Sequence, residues 1–237
     1  MMARSPLARR LLASLSEVGG AVLPGGSAVI LLMFAWLGSE VGEGETHAFD
    51  ARILLSLRSA GDLAQPIGPH WLQMAMLDLT ALGGGSVLTL LTTVAIGFVV
   101  AKRKWRQAAF IAAAIGGGAV LSALLKTGYA RPRPDLAAHL VEVSSASFPS
   151  GHAMNSAVTY LTLSVLLARA APEPRVKAYL IWVGVALTLI VGLSRVYLGV
   201  HWPTDVVAGW AVGAAWAGLC WFVAGLMRGG EPTSSRP

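Results

Sequence analysis

Ser194-Arg195-Val196-Tyr197-Leu198-Gly199-Val200-His201-Trp202-Pro203-Thr204-Asp205 stands between two apolar runs, Ala178–Leu193 and Val206–Met227. An arginine, a histidine and an aspartate on the threshold of long apolar segments decide the fold class. Charge beside hydrocarbon is costly, so it is kept where a function needs it. Pro203 suits the first position of a helix, where its missing N–H would lack a partner anyway. Asp205 then falls in the first turn and can bend back toward the His201 ring. The flanking runs read as membrane helices, with the polar cluster at their mouth.

Four more apolar stretches precede these two: Ala28–Gly38, Ser86–Ala101, Ala108–Leu125 and Ala153–Ala168. Several fall short of the ~20 residues that span a bilayer, but flanking residues extend each of them. The expectation is an all-α polytopic membrane protein, a six-helix bundle forming one domain over residues 1–237. Composition agrees: 55% of residues are hydrophobic and only 13% charged, against about 25% charged in a soluble domain. Eight tryptophans and 27 glycines fit interfacial anchoring and close helix approach. Cys220 is the sole cysteine. It excludes an intrachain disulfide and cysteine metal clusters, and it reads as a helix- or lipid-packed residue.

The net charge of +6 is explained by position, not by nucleic acid. Arg4, Arg9 and Arg10 precede the first helix, and Lys102, Arg103, Lys104 and Arg106 lie between the second and third. Arg169, Arg175 and Lys177 lie between the fourth and fifth, and Arg228 and Arg236 follow the sixth. Twelve of the 18 Lys and Arg thus gather on one face, which the positive-inside rule makes cytoplasmic. Both termini are expected there, with residues 1–20 as a cytoplasmic segment and the polar clusters facing outward, periplasmic in a Gram-negative cell. The amino terminus superficially resembles a signal peptide. Ser39-Glu40 follows its apolar run in place of a small-x-small cleavage site, so an uncleaved first helix is expected.

Residues 39–80 are the longest polar excursion, expected as an outward loop region. Phe49, Ile53, Leu54 and Leu57 repeat at helical spacing there. An interfacial helix and an ordinary covering loop are equally consistent with this pattern. Gly83-Gly84-Gly85 and Gly116-Gly117-Gly118 lack the strand–turn–helix context of a nucleotide loop and are read as helix-packing sites. The tail 229–237 reads as disordered.

Hydrolysis of a phosphate ester without a metal needs a nucleophile, an acid for the leaving oxygen, and positive charge around the phosphate. His201 with Asp205 can supply the first, since a carboxylate on one ring nitrogen fixes the tautomer and frees the other. Pro149-Ser150-Gly151-His152 precedes the fourth helix, with Ser150 as its natural N-cap. The free N–H groups of that helix start suit phosphate oxygens, Gly151 permits close approach, and His152 can serve as the acid. Lys126, Arg133 and Arg195 can clamp the oxygens, two by guanidinium forks and one as a point charge.

Lys126-x6-Arg133-Pro134, Pro149-Ser150-Gly151-His152 and Ser194-Arg195-x5-His201-x3-Asp205 together resemble the three-part signature of the type 2 phosphatidic acid phosphatase (lipid phosphate phosphatase) superfamily. That group also includes bacterial acid phosphatases and vanadium haloperoxidases. The match spans residues 126–205 with order and spacing intact, and the layout resembles the integral-membrane branch. The resemblance implies that His201 attacks phosphorus to form a phosphohistidine, oriented by Asp205. It implies that His152 protonates the leaving group and then activates water. Lys126, Arg133 and Arg195 would hold the phosphate, helped by Ser150 and the Gly151 amide, with no metal and no cofactor. The expected partners are the bilayer and a membrane lipid phosphate, with no nucleic acid and no obligate protein partner. Phosphatidic acid, phosphatidylglycerophosphate and undecaprenyl diphosphate are all reasonable substrates. A lipid-to-lipid phosphotransferase would use the same residues. A non-catalytic lipid-binding or transport protein would need the cations but not the His201–Asp205 pair.

The other polar residues carry weaker expectations. Arg131 is read as an extra cation touching headgroups. Tyr129, Tyr197 and Trp202 are read as interface aromatics bordering the lipid's path, and His47, His70 and His139 as solvated loop residues.

Overall fold

The computed structural model describes residues 6–229 apart from Ser144, with side chains from residue 25 to residue 227. The first apolar run lies within a long helix, α1 (Pro6–Glu43). The polar excursion then folds into α2 (His47–Ser56), a hairpin of β1 (Arg58–Ser59) and β2 (Asp62–Pro66), and α3 (His70–Ala81). Five apolar helices complete the chain: α4 (Gly85–Ala101), α5 (Trp105–Tyr129), α6 (Gly151–Ala170), α7 (Pro174–Tyr197) and α8 (Pro203–Gly229). Pro203 opens α8, as its missing N–H requires. The all-α expectation gains one small antiparallel hairpin.

Residues 25–43 of α1, together with α5, α7 and α8, form four helices long and apolar enough to cross a membrane. The pair α3–α4, bent by 49° at Gly83-Gly84, makes a fifth if it counts as one span. Length and apolarity alone therefore do not yield the six spans expected. The difference is α6, and its position explains it. It packs against α5, α7 and α8 and buries Ser156, Thr159, Thr162 and Ser164. A helix wrapped by other helices has no need of a lipid-like surface. The outer helices do carry one: Leu32, Trp36, Leu90, Phe98, Trp182 and Met227 are all exposed.

Small residues let α8 press onto α6. A Cβ on Gly213 would come within 2.6 Å of the Met154 carbonyl oxygen, and one on Gly209 within 2.7 Å of that of Ser150. Backbones this close gain dispersion contacts that larger residues would forbid. The glycine triplets only partly match the packing expectation. Gly117 and Gly118 abut Trp216 and Val158, and Gly83 abuts Val191, whereas Gly85 and Gly116 face open space.

Within the 39–80 excursion, the helical alternative holds for α2, which buries Asp50 and Leu54. The hairpin is tied to the end of α7. Arg58 Nη1 donates to the Tyr197 carbonyl at 2.9 Å, and Tyr197 Oη donates to that of Ile67 at 2.8 Å. The excursion is thus packed onto the bundle end where α3, α5 and α7 finish and α6 and α8 begin. The side chains of Arg4, Arg9, Arg10, Arg228 and Arg236, and the tail beyond Gly229, lie outside the described residues.

Candidate active site

His201 sits in the short turn between α7 and α8, 1% exposed. Its Nδ1 lies 3.4 Å from Asp205 Oδ2, one helical turn on. Ser147 completes the contact: its hydroxyl donates to the same Oδ2 at 2.5 Å and accepts from His201 Nδ1 at 3.3 Å. The Trp202 backbone N–H also donates to Oδ2, at 2.9 Å. A carboxylate oxygen fed by three donors is held in one orientation, so Nδ1 keeps its proton and Nε2 is the free nitrogen. Nε2 faces Arg133, whose Nη1 is 3.2 Å away. Burial holds the His201 imidazole down at about 4. Asp205 pulls the other way, and Arg133 and Arg195 reinforce the depression. The ring is neutral at pH 7.

Around Nε2 lies a cavity of about 340 Å³ whose lining includes Lys126, Arg133, Gly151, His152, Arg195 and His201. They come from several chain ends. Lys126 and Arg195 stand in the last turns of α5 and α7, and His152 stands in the first turn of α6. Lys126 Nζ donates to the Ala146 carbonyl at 2.6 Å. Arg133 donates from Nε to the Ser145 carbonyl at 2.8 Å and from Nη1 to that of Val200 at 2.6 Å. Burial pulls the Arg133 guanidinium below its ordinary value, opposed by Asp205. Arg195 Nη1 donates to Thr80 Oγ1 at 2.9 Å, while its buried Nε has no protein partner among the described residues. Gly151 serves the site in a way spacing alone does not reveal. A Cβ there would lie 3.1 Å from Lys126 Cε, so glycine makes room for the lysine stem. Three fixed cations around one neutral imidazole nitrogen is an arrangement for a tetrahedral oxyanion.

Comparison with known proteins agrees with this chemistry. The family described as the PAP2 superfamily matches residues 107–226, half of the chain. The chain belongs to the PAP2 superfamily. Phosphatidylglycerophosphatase B of Bacillus subtilis is 38% identical to it over 60% of this chain and 70% of that protein. Undecaprenyl-diphosphatase of Sulfolobus acidocaldarius is 41% identical over a shorter stretch, 29% of each chain. The crystal structure of a transmembrane PAP2 type phosphatidylglycerolphosphate phosphatase from Bacillus subtilis superposes with a TM-score of 0.77. It shares 29% identity and covers 87% of this chain and 98% of that one. The chain is a PAP2 phosphatase with several membrane helices.

Not every expected residue reaches the PAP2 cavity. Ser150 does not line it: its buried hydroxyl accepts from the Ala153 N–H at 3.5 Å, so it caps α6. Arg131 is no headgroup contact. It lies inside the protein, paired with Asp50 at 2.8 Å and Asp205 at 2.6 Å. The three aromatics are packed instead of bordering a lipid path. Trp202 and Tyr197 are buried, Trp202 Nε1 donates to the Pro132 carbonyl, and Tyr129 packs on Phe34 and Phe148. His139 donates to the Pro134 carbonyl at 2.6 Å and His47 packs on the Trp202 ring. Sequence reasoning missed Thr80, Ser147 and Asp50. Asp50 alone left a trace, an acid set among the helically spaced apolar residues of α2.

Proposed function

We propose that this PAP2 phosphatase hydrolyses a lipid phosphate through a phosphohistidine on His201, with phosphatidylglycerophosphate as the first substrate to test. The observation that carries the reading is one cavity where the free Nε2 of a neutral histidine meets Lys126, Arg133 and Arg195. In the first step Nε2 attacks phosphorus, the phosphorus–oxygen bond to the lipid breaks, and His152, which takes up a proton together with the incoming phosphate dianion, gives that proton to the leaving alkoxide. In the second, His152 takes a proton from water, the water oxygen bonds phosphorus, and the phosphorus–nitrogen bond breaks. The three cations and the Gly151 N–H stabilise charge on the equatorial oxygens, the task a metal performs elsewhere. Asp205 and Ser147 hold the ring without touching the substrate.

The choice of lipid draws on the similarity to the Bacillus subtilis phosphatase over most of both chains. Six crossings with both termini cytoplasmic are supported by the basic residues, which fall at the bundle end opposite the cavity. Lys102, Arg103 and Lys104 form the α4–α5 turn, and Arg175 and Lys177 begin α7. The active site then faces outward, where a headgroup can enter while its acyl chains stay in the membrane.

The test is phosphate release by the purified protein in detergent and EDTA. The panel holds phosphatidylglycerophosphate, phosphatidic acid and undecaprenyl diphosphate, with His201→Ala alongside. The expected result is EDTA-resistant release, fastest from phosphatidylglycerophosphate, inhibited by vanadate and absent from the variant. Activity abolished by EDTA and restored by magnesium would overturn the metal-free scheme.

A further inference from the structure

Behind the cavity, on the side away from substrate, lies a buried charge network reaching a helix outside the family match. Arg131 Nη1 donates to Asp205 Oδ1 at 2.6 Å and to Thr204 Oγ1 at 2.9 Å. Its Nη2 donates to Asp50 Oδ2 at 2.8 Å and to Thr46 Oγ1 at 3.2 Å. Asp50 in turn accepts from the Thr204 N–H at 3.0 Å and from Thr204 Oγ1 at 2.6 Å. A carboxylate on α2 therefore caps the start of α8, where free N–H groups and the helix dipole favour an anion. Both acid side chains are fully buried and Arg131 is 10% exposed.

The two oxygens of Asp205 are thus divided between two neighbours. Oδ2 takes Ser147, the Trp202 N–H and His201, and Oδ1 takes Arg131. We propose that Asp50 and Arg131 are a positioning pair that sets the orientation of the Asp205 carboxylate and, through it, of the His201 ring. Arg131 pins the carboxylate plane, and Asp50 pins Arg131 while shielding part of its charge. The Arg131 backbone carbonyl also accepts from the Ser147 N–H at 2.9 Å, so one residue sets both groups that hold Nδ1. The proposal rests on the reading of His201 as the nucleophile.

Charge makes the test directional. Neutralising Asp50 leaves Arg131 unshielded against Asp205, so less of that carboxylate's field reaches His201 and the ring binds a proton less readily. Neutralising Arg131 gives His201 the whole field, and the ring binds a proton more readily. The other charged or titratable groups facing His201 around the cavity are Lys126 from α5, Arg133 and Glu142 from the α5–α6 connection, His152 from α6 and Arg195 from α7. Neither substitution alters these groups.

The experiment measures kcat and KM across pH for full-length Asp50→Asn, Arg131→Gln, Arg131→Lys and His201→Ala. Short-chain phosphatidic acid in detergent is the substrate, and thermal unfolding checks the fold. Loss of alignment predicts kcat lower by about 10-fold in Asp50→Asn and about 10²-fold in Arg131→Gln, with KM changed less than about twofold. The acid limb of kcat/KM moves to lower pH in Asp50→Asn and to higher pH in Arg131→Gln, and Arg131→Lys falls between wild type and Arg131→Gln. Limbs that stay in place, or move together, with activity lost only in proportion to stability, would make the pair purely structural. If Arg131→Gln does not fold, the downward shift in Asp50→Asn decides alone. Wild-type hydrolysis by His201→Ala would overturn the nucleophile reading and this proposal with it. An inactive His201→Ala with unmoved limbs overturns the positioning role only.

Discussion

The stretch 126–205 and the stretch 46–83 both build this site, but from opposite sides. The first supplies the groups that face the cavity: Lys126, Arg133, His152, Arg195 and His201. The second mostly supplies groups that brace the first from behind or from the side. Asp50 holds Arg131, Thr80 receives Arg195, and Gly83 lets the α3–α4 bend approach His152. The first carries short motifs with fixed spacing, and it lies wholly within the family match over residues 107–226. The second lies wholly outside that match. Chemistry at phosphorus tolerates few residue types, so its sequence pattern is constrained. Support can come from any chain that brings an acceptor to the right place, so its pattern is loose.

The sharpest way to break this contrast is to remove one residue from each side. His201→Ala should lose at least about 10³-fold in kcat/KM, because the proposed phosphohistidine forms on its Nε2. Comparable residual hydrolysis would show that the cavity, not the imidazole, carries the reaction. Thr80→Val keeps side-chain volume but strips the acceptor from Arg195 Nη1. The expected outcome is a rise in KM of roughly 10-fold with kcat changed far less, since the proposed scheme has Arg195 hold phosphate in ground and transition states alike. Thr80→Ser should restore KM. Failure of that rescue would mean that Thr80 acts through packing.

The smallest expected effect concerns pH. Attack needs His201 neutral, and burial holds the ring at about 4, below the ordinary value near 6.5. The neutral fraction is therefore nearly complete at pH 7, falls by only about a tenth at pH 5, and collapses as pH drops through 4. An acid limb for kcat/KM near 6.5 instead would show that burial does not hold His201 neutral.

Legibility followed the same division. The apolar runs, the Ser150 cap and the Pro203 helix start were readable because each follows from local chemistry: hydropathy, an N–H acceptor, a missing N–H. Arg131 was misread because nothing within the stretch Arg131-Pro132-Arg133 shows that one arginine meets Asp205 and the other His201. Trp202 and Tyr197 have the composition of interface residues, and only the hairpin and the α5–α6 connection folded over them make them interior. Length and apolarity alone leave α6 out of the span count, because a helix sheathed by others is released from the apolarity that lipid demands.

By itself, then, the sequence determined a membrane helix bundle and most of the charged residues that line its cavity, since hydrocarbon and phosphorus each impose strict local requirements. Tertiary structure alone decided which residues support them. Asp50 meets Arg131 across 81 positions of chain and Arg195 meets Thr80 across 115. Pairings at such separations come from how helices pack, which no local spacing encodes.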